Sequence, residues 1–176
     1  MQIKTARLML FDLSLQQLEW MLNAPQVLEA QLGFAVSRSN LQGPVQRALR
    51  MKIERMHGED PSHHPWSTYW LIVTENPRFG AGMAGFKGAP DASGAVEIGY
   101  GIDAQCQGKG YMTEAARALI EWAFSQPGCQ TVTAIGVLKT NLASQHVLVN
   151  VGMAQYAEDD LTTSWKIEHP WDGQPA

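Results

Sequence analysis

A chain of 176 residues with 45% apolar residues is long enough for one domain with a sizeable core. Thirteen Lys plus Arg stand against seventeen Asp plus Glu, and the resulting net charge of -4 excludes the broadly basic surface that nucleic-acid binding requires. The two cysteines, Cys106 and Cys129, form no Cys-x-x-Cys pair, so no disulfide framework is expected and a reducing cytoplasm fits. The first apolar run, residues 8–11, is cut short by Asp12. It is too brief for a secretory core or a membrane span, which predicts a soluble chain without an export signal.

Residues 5–13 read as one strand. Ser14 is placed to cap a helix, with Gln17 completing a capping box, and Leu15, Leu18, Met21 and Leu22 give a buried face at helical spacing. Pro25 is expected to close that helix, and 33–43 to form a loop. Pro44 opens a second helix whose apolar positions are Val45, Leu49, Ile53 and Met56. Residues 57–67 are a break. Strands at 68–74 and 78–87 then form a hairpin around Asn76-Pro77. A strand at 96–102, a long helix at 110–126, a strand at 130–138, a helix at 141–151 and a last hairpin of 153–158 with 162–167 complete a mixed α/β domain, expected to occupy 1–176.

The chemistry concentrates in the segment that begins Glu97-Ile-Gly-Tyr-Gly-Ile and continues through Gln105-Cys-Gln-Gly-Lys-Gly110-Tyr-Met. A strand runs into a Gly-x-Gly turn that opens a helix. Glycines let backbone approach a ligand, and the first N–H groups and the dipole of a helix favour an anion. Two familiar phosphate motifs fail here. A Walker loop needs glycine where Asp103 stands and Ser or Thr where Gly110 stands. A dinucleotide fingerprint needs a third glycine where Thr113 stands.

Gln105-Cys-Gln-Gly-Lys-Gly110 resembles the Gln/Arg-x-x-Gly-x-Gly/Ala motif of the GCN5-related N-acetyltransferases. The run Asn141-Leu-Ala-Ser144, with its apolar helix and Gly152-Met153, resembles the second motif of that family, and Thr5-Ala-Arg-Leu-Met-Leu is typical of its opening. The pattern is most similar to the branch that includes the ribosomal-protein N-terminal acetyltransferases.

The resemblance implies a mixed, mostly antiparallel central sheet flanked by helices, with parallel strands that splay apart at the cofactor site. It implies acetyl-coenzyme A as cosubstrate, an amine acceptor (a protein N-terminus or a small molecule), direct attack in a ternary complex, and no metal, nucleic acid or membrane partner. The chain is expected to be a monomer or homodimer. Cofactor contacts fall on Ile102, Gln107, Gly108, Lys109, Gly110, Tyr111, Met112 and Asn141, with an oxyanion-holding N–H near 99–101. Glu97 is the candidate base, directly or through water, and Ser144 the candidate group beside the thiolate. Many family members carry a proton-donating tyrosine seven residues after the motif asparagine, where this chain has Leu148. A non-catalytic coenzyme A sensor on the same fold is therefore the alternative. The acceptor itself is not legible, although the net negative charge mildly favours a cationic one.

Overall fold

The polypeptide begins with two short strands, β1 (Gln2–Lys4) and β2 (Leu8–Asp12), in the computed structural model, which describes residues 1–39, 41 and 43–169. Part of the expected 33–43 loop (positions 40 and 42) and the end of the expected domain (170–176) lie outside the described residues. The strand expected at 5–13 is present but shorter, as β2, and residues 5–7 form the turn that pairs it with β1. Thr5 turns the chain, its N–H donating to the Leu8 carbonyl at 2.9 Å while its Oγ1 accepts from the Leu8 N–H at 3.0 Å. A threonine hydroxyl that bonds nearby backbone in this way favours a turn where composition alone would extend the strand.

Ser14 caps α1 (Leu15–Asn23) with the capping box complete. Pro25 does not end the helical region. It occupies the first position of α2 (Pro25–Leu32), where its missing N–H has no helical partner to lose. Then come α3 (Pro44–Gly58), a 3₁₀ turn (Pro61–His63) and α4 (His64–Ser67) inside the stretch expected to be a plain break. Strands β3 (Trp70–Glu75), β4 (Arg78–Phe86) and β5 (Ala95–Ile102) precede α5 (Tyr111–Phe124), β6 (Thr131–Leu138), α6 (Leu142–Asn150), β7 (Ala154–Glu158) and β8 (Thr162–Glu168).

The eight strands form one sheet in the order β1-β2-β3-β4-β5-β6-β8-β7. Every neighbouring pair is antiparallel except β5 and β6. Alternation along the strands divides the core in two. Leu8, Leu10, Trp70, Ile72, Ala84, Phe86, Val96 and Ile98 share one face with the apolar side of α5. Leu71, Val73 and Met83 share the other with Leu18 and Met21 of α1, Leu28 of α2 and Leu49 and Met56 of α3.

Two polar ties hold the helical layer to the sheet. The Lys52 ammonium of α3 donates to the carbonyls of Ser67, Thr68 and Phe86. Burial pushes its pKa down to about 7, with the nearby Arg55 charge adding to the shift and Glu59 opposing it. The buried carboxylate of Asp103 accepts from Ser37 Oγ, from Ser39 Oγ at 2.8 Å and from the Gln105 N–H at 2.9 Å, pinning the loop after α2 to the end of β5.

Candidate active site

β5 and β6 pair over only three positions, Ala95↔Thr131, Val96↔Val132 and Glu97↔Thr133. Beyond Glu97 the strands part. β5 continues against β4 alone, from Ile98↔Phe86 to Ile102↔Gly82, and β6 continues against β8 alone. β6 is irregular between Ala134 and Val137, a stretch that contains Gly136 at φ 69°, so it bends away instead of following β5.

The hydrogen-bonding parity of β5 decides what faces the gap. The Lys87 N–H donates to the Glu97 carbonyl and the Asp103 N–H to the Ala81 carbonyl, so odd-numbered residues turn their backbone groups toward β4. Backbone polar groups alternate along a strand. The N–H and C=O groups of Ile98, Tyr100 and Ile102 therefore point into the gap and leave a free strand edge there. Ile102, expected from sequence to meet the cofactor, is one of these residues. Of the N–H groups at 99–101, that of Tyr100 points into the gap, because Gly99 and Gly101 turn theirs to β4.

One end of the gap meets α5. Gly108 and Gly110 have φ of 71° and 76°, a left-handed conformation that strains residues with a Cβ. A Cβ on Gly108 would meet no protein atom within 4 Å, so open space lies beside this turn. Gly110 caps α5 without any side-chain hydrogen bond, leaving the first-turn N–H groups available to a ligand. Arg7 holds this turn from behind. Its guanidinium donates to the Lys109 carbonyl at 2.9 Å and to Glu114 at 2.7 Å, and lies over the Tyr111 ring.

A cleft of about 590 Å³ follows from these elements. Ile102, Gln107, Gly108, Gly110, Tyr111, Met112, Asn141 and Ser144, eight of the residues expected from sequence, line it together. Asn141 works locally as well, its side chain accepting the Ser144 N–H at 3.1 Å and so capping α6. Lys109 and Glu97 are not among the lining residues. Lys109 is exposed on the turn. Glu97 lies at the last paired position of β5, with its carboxylate 2.5 Å from Lys87 Nζ.

Sequence reasoning assigned no role to the Tyr100 side chain. Its hydroxyl crosses from β5 to α6, 3.2 Å from the Ser144 carbonyl and 3.0 Å from Ser144 Oγ. Burial pushes its pKa up, with the Ser144 hydrogen bond a smaller opposing effect, so it stays neutral. The available signal was its place two residues after the inward-facing Ile98. Leu148 is fully buried in the core on the α5 side of the sheet.

Both cysteines are buried and free. Among the described residues, no group of three or more His, Cys, Asp or Glu side chains could hold a metal ion, and no helix is long and apolar enough to cross a membrane.

A split parallel pair with a glycine turn and a helix N-terminus at its mouth is the arrangement the resemblance to an acetyltransferase implies, and comparison with known proteins agrees. The family model described as "Acetyltransferase (GNAT) domain" matches residues 13–154, and the chain belongs to that family. A protein of Bacillus subtilis (strain 168) described as the uncharacterized N-acetyltransferase YjdG is 39% identical over 83 residues, 47% of this chain and 49% of that protein. The match thus spans about half the length of that curated relative. The ribosomal-protein-S5-alanine acetyltransferase from Vibrio fischeri superposes with a TM-score of 0.66 over 99% of this chain and 100% of that one, at 18% identity. RimL, a ribosomal L7/L12 alpha-N-protein acetyltransferase solved in complex with coenzyme A, superposes with a TM-score of 0.64 over 96% and 98%, at 16% identity. At those identities the two structures show the shared fold.

Proposed function

We propose that this protein transfers the acetyl group of acetyl-coenzyme A to a primary amine by direct attack in a ternary complex. The observation that supports it best is the gap between β5 and β6, with a free strand edge along one side and the glycine turn of α5 at its mouth. The N–H groups of residues 107–112 suit a pyrophosphate, and the exposed Lys109 stands where its side chain can reach a phosphate. The backbone of Ile102 suits the amides of a pantetheine arm, which adds to the sheet as an extra strand does.

Acetyl-coenzyme A supplies the activated acyl carbon. The chain supplies placement. The Tyr100 N–H, aimed into the gap, donates to the thioester oxygen as negative charge develops there. The neutral amine attacks the carbonyl carbon, the carbon–sulfur bond breaks, and the sulfur leaves as thiolate. Ser144, its hydroxyl paired with that of Tyr100, lies on the cleft wall beside the departing sulfur.

Glu97 acts as base through water. It shares its face of β5 with Gly99 and Gly101, whose missing side chains leave open space, since a Cβ on either would meet nothing within 4 Å. Glu97 stands three positions before Tyr100, roughly 10 Å along the strand, which leaves room for a bridging water between base and reacting amine.

The test is incubation with acetyl-coenzyme A and a panel of amines, reading free thiol. Turnover supports the proposal, and calorimetry showing no coenzyme A binding overturns it. Leu148, buried where many family members carry a tyrosine acid, favours one competing reading, a coenzyme A sensor. Tight binding without turnover on any amine would establish that reading instead. Among acceptors, a protein N-terminus and a small-molecule amine both suit a cleft open to solvent, and the acceptor named for the solved neighbours is a ribosomal protein.

A further inference from the structure

A second, smaller cavity opens on the opposite face of the sheet and meets the cofactor cleft at Val45, Tyr100 and Gly101, which line both. Its walls are Met21 from α1, Val45 from α3, Tyr69 just before β3, Leu71 from β3 and Met83 from β4. Its floor is bare backbone, and Gly101 leaves open space where a side chain would project. An amine attacking a thioester held against Tyr100 has its substituent here, because this cavity adjoins the gap on the helix-layer side of the sheet.

No lining residue carries a charge. The nearby ionisable groups are turned away or occupied, and Glu97, further back on the same face of β5 as Gly101, does not line the cavity and is paired with Lys87. Asp103, bonded to the lining residue Ser37, has its oxygens engaged by Ser37, Ser39 and the Gln105 N–H. Lys52 stands over the Tyr69 ring with its donors occupied by three carbonyls, and it offers a cationic arm nothing to bind. An ammonium buried without a partner is strongly disfavoured. The size is also restrictive. The cavity measures about 50 Å³, roughly a third of the ~150 Å³ apolar cavity that accepts a benzene ring, which leaves room for a group of roughly three carbons.

We propose that the acceptor is a primary amine whose adjoining substituent is a short, uncharged, apolar group, and that amines bearing a second positive charge close to the first are rejected. The inference rests on the acetyltransferase reading above. It runs against the sequence-level hint from net charge, because the surface as a whole is acidic while this cavity offers no carboxylate.

The experiment uses matched pairs. Propylamine is compared with 1,3-diaminopropane, which differs in one added ammonium. The peptide Val-Gly-Gly is compared with Lys-Gly-Gly, so that free amines and chain N-termini are distinguished as sources. Thiol release gives kcat/KM for each, and acetyl-coenzyme A binding is measured in parallel by calorimetry. The apolar member of at least one pair should exceed its cationic partner by tenfold or more, the scale on which a pocket discriminates. Val45→Glu places a carboxylate at the cavity mouth in the first turn of α3, a position where the helix dipole tolerates it. It should shift the preference toward the diamine or the lysine peptide by about tenfold.

With acetyl-coenzyme A bound, equal or better turnover of the cationic members overturns the cavity assignment alone, as does a Val45→Glu variant with an unchanged preference. Absence of acetyl-coenzyme A binding overturns the acetyltransferase reading with it.

Discussion

Arg7 and Glu114 meet at 2.7 Å, joining the entrance of β2 to the first turn of α5 across more than a hundred residues of chain. The same carboxylate accepts from the Arg7 backbone N–H at 2.9 Å and from Thr5 Oγ1 at 2.6 Å, and the other arm of the guanidinium reaches the Lys109 carbonyl. The N-terminal hairpin therefore braces the glycine turn that faces the cleft. Arg7 is half exposed, so its ion pair contributes only about 1 kcal/mol. Arg7→Ala should weaken acetyl-coenzyme A binding by about fivefold, the equivalent of that energy, with the fold retained. Calorimetry of the two proteins checks it, and equal affinities would separate the brace from the site.

The same carboxylate sets an acid limb. Burial raises the Glu114 pKa, but hydrogen bonds from Thr5 and Arg7 outweigh burial and hold it below the ordinary glutamate value. A depressed folded pKa stabilises the native state fully above the unfolded value of about 4.3, and that stabilisation is lost as pH falls through the folded pKa. Denaturant unfolding followed from pH 7 down to 3 should show a shallower acid decline in Arg7→Ala than in the parent. A steeper decline would contradict this assignment.

Gly108 separates backbone strain from ligand exclusion. At φ 71° any side chain costs about 1–2 kcal/mol, yet a Cβ there meets no protein atom within 4 Å. Gly108→Ala should lose a few degrees of Tm and keep measurable acetyl-coenzyme A binding. Gly108→Glu should be about as stable as the alanine variant and lose binding, because its carboxylate repels a pyrophosphate at a helix N-terminus. Wild-type affinity in Gly108→Glu would move the phosphate site elsewhere.

Glu97→Gln tests the base. If water carries the proton to Glu97, turnover should fall by at least about a hundredfold with acetyl-coenzyme A affinity little changed, and activity should partly return at high pH as more amine is neutral. The Lys87 partner is well exposed, so loss of that ion pair by itself should alter stability by no more than about 1 kcal/mol. Unchanged turnover would reduce Glu97 to the partner of Lys87, and a raised KM at normal kcat would assign it to substrate binding.

Asp103→Asn should destabilise by about 1–3 kcal/mol, since a buried carboxylate that accepts from two hydroxyls and an N–H becomes an amide with donors to place. Thermal unfolding measures it. The loop carrying Ser37 borders the smaller cavity, so acceptor KM should rise more than acetyl-coenzyme A affinity falls. The opposite order would place that loop's influence at the cofactor cleft.

The glycine turn, the strand before it, the helix after it and the Asn141–Ser144 start of α6 were legible in the sequence. Each is a local event in which backbone conformation, a missing Cβ or a cap is dictated by residues a few positions apart. Local chemistry also misled. The run at 5–13 gave no warning that residues 5–7 would form a turn leading in from a preceding strand, and Pro25 reads equally well as a helix stop and a helix start. What only the tertiary structure decided is long-range. Register fixes where β5 and β6 cease to pair, and so which backbone N–H enters the gap. Packing of α1 and α3 on β3 and β4 creates an uncharged cavity that no contiguous stretch of residues encodes. The reach of Tyr100 to Ser144 and of Arg7 to Glu114 depends on strands and helices brought together across dozens of residues, and side-chain direction at such meetings is set by the sheet as a whole.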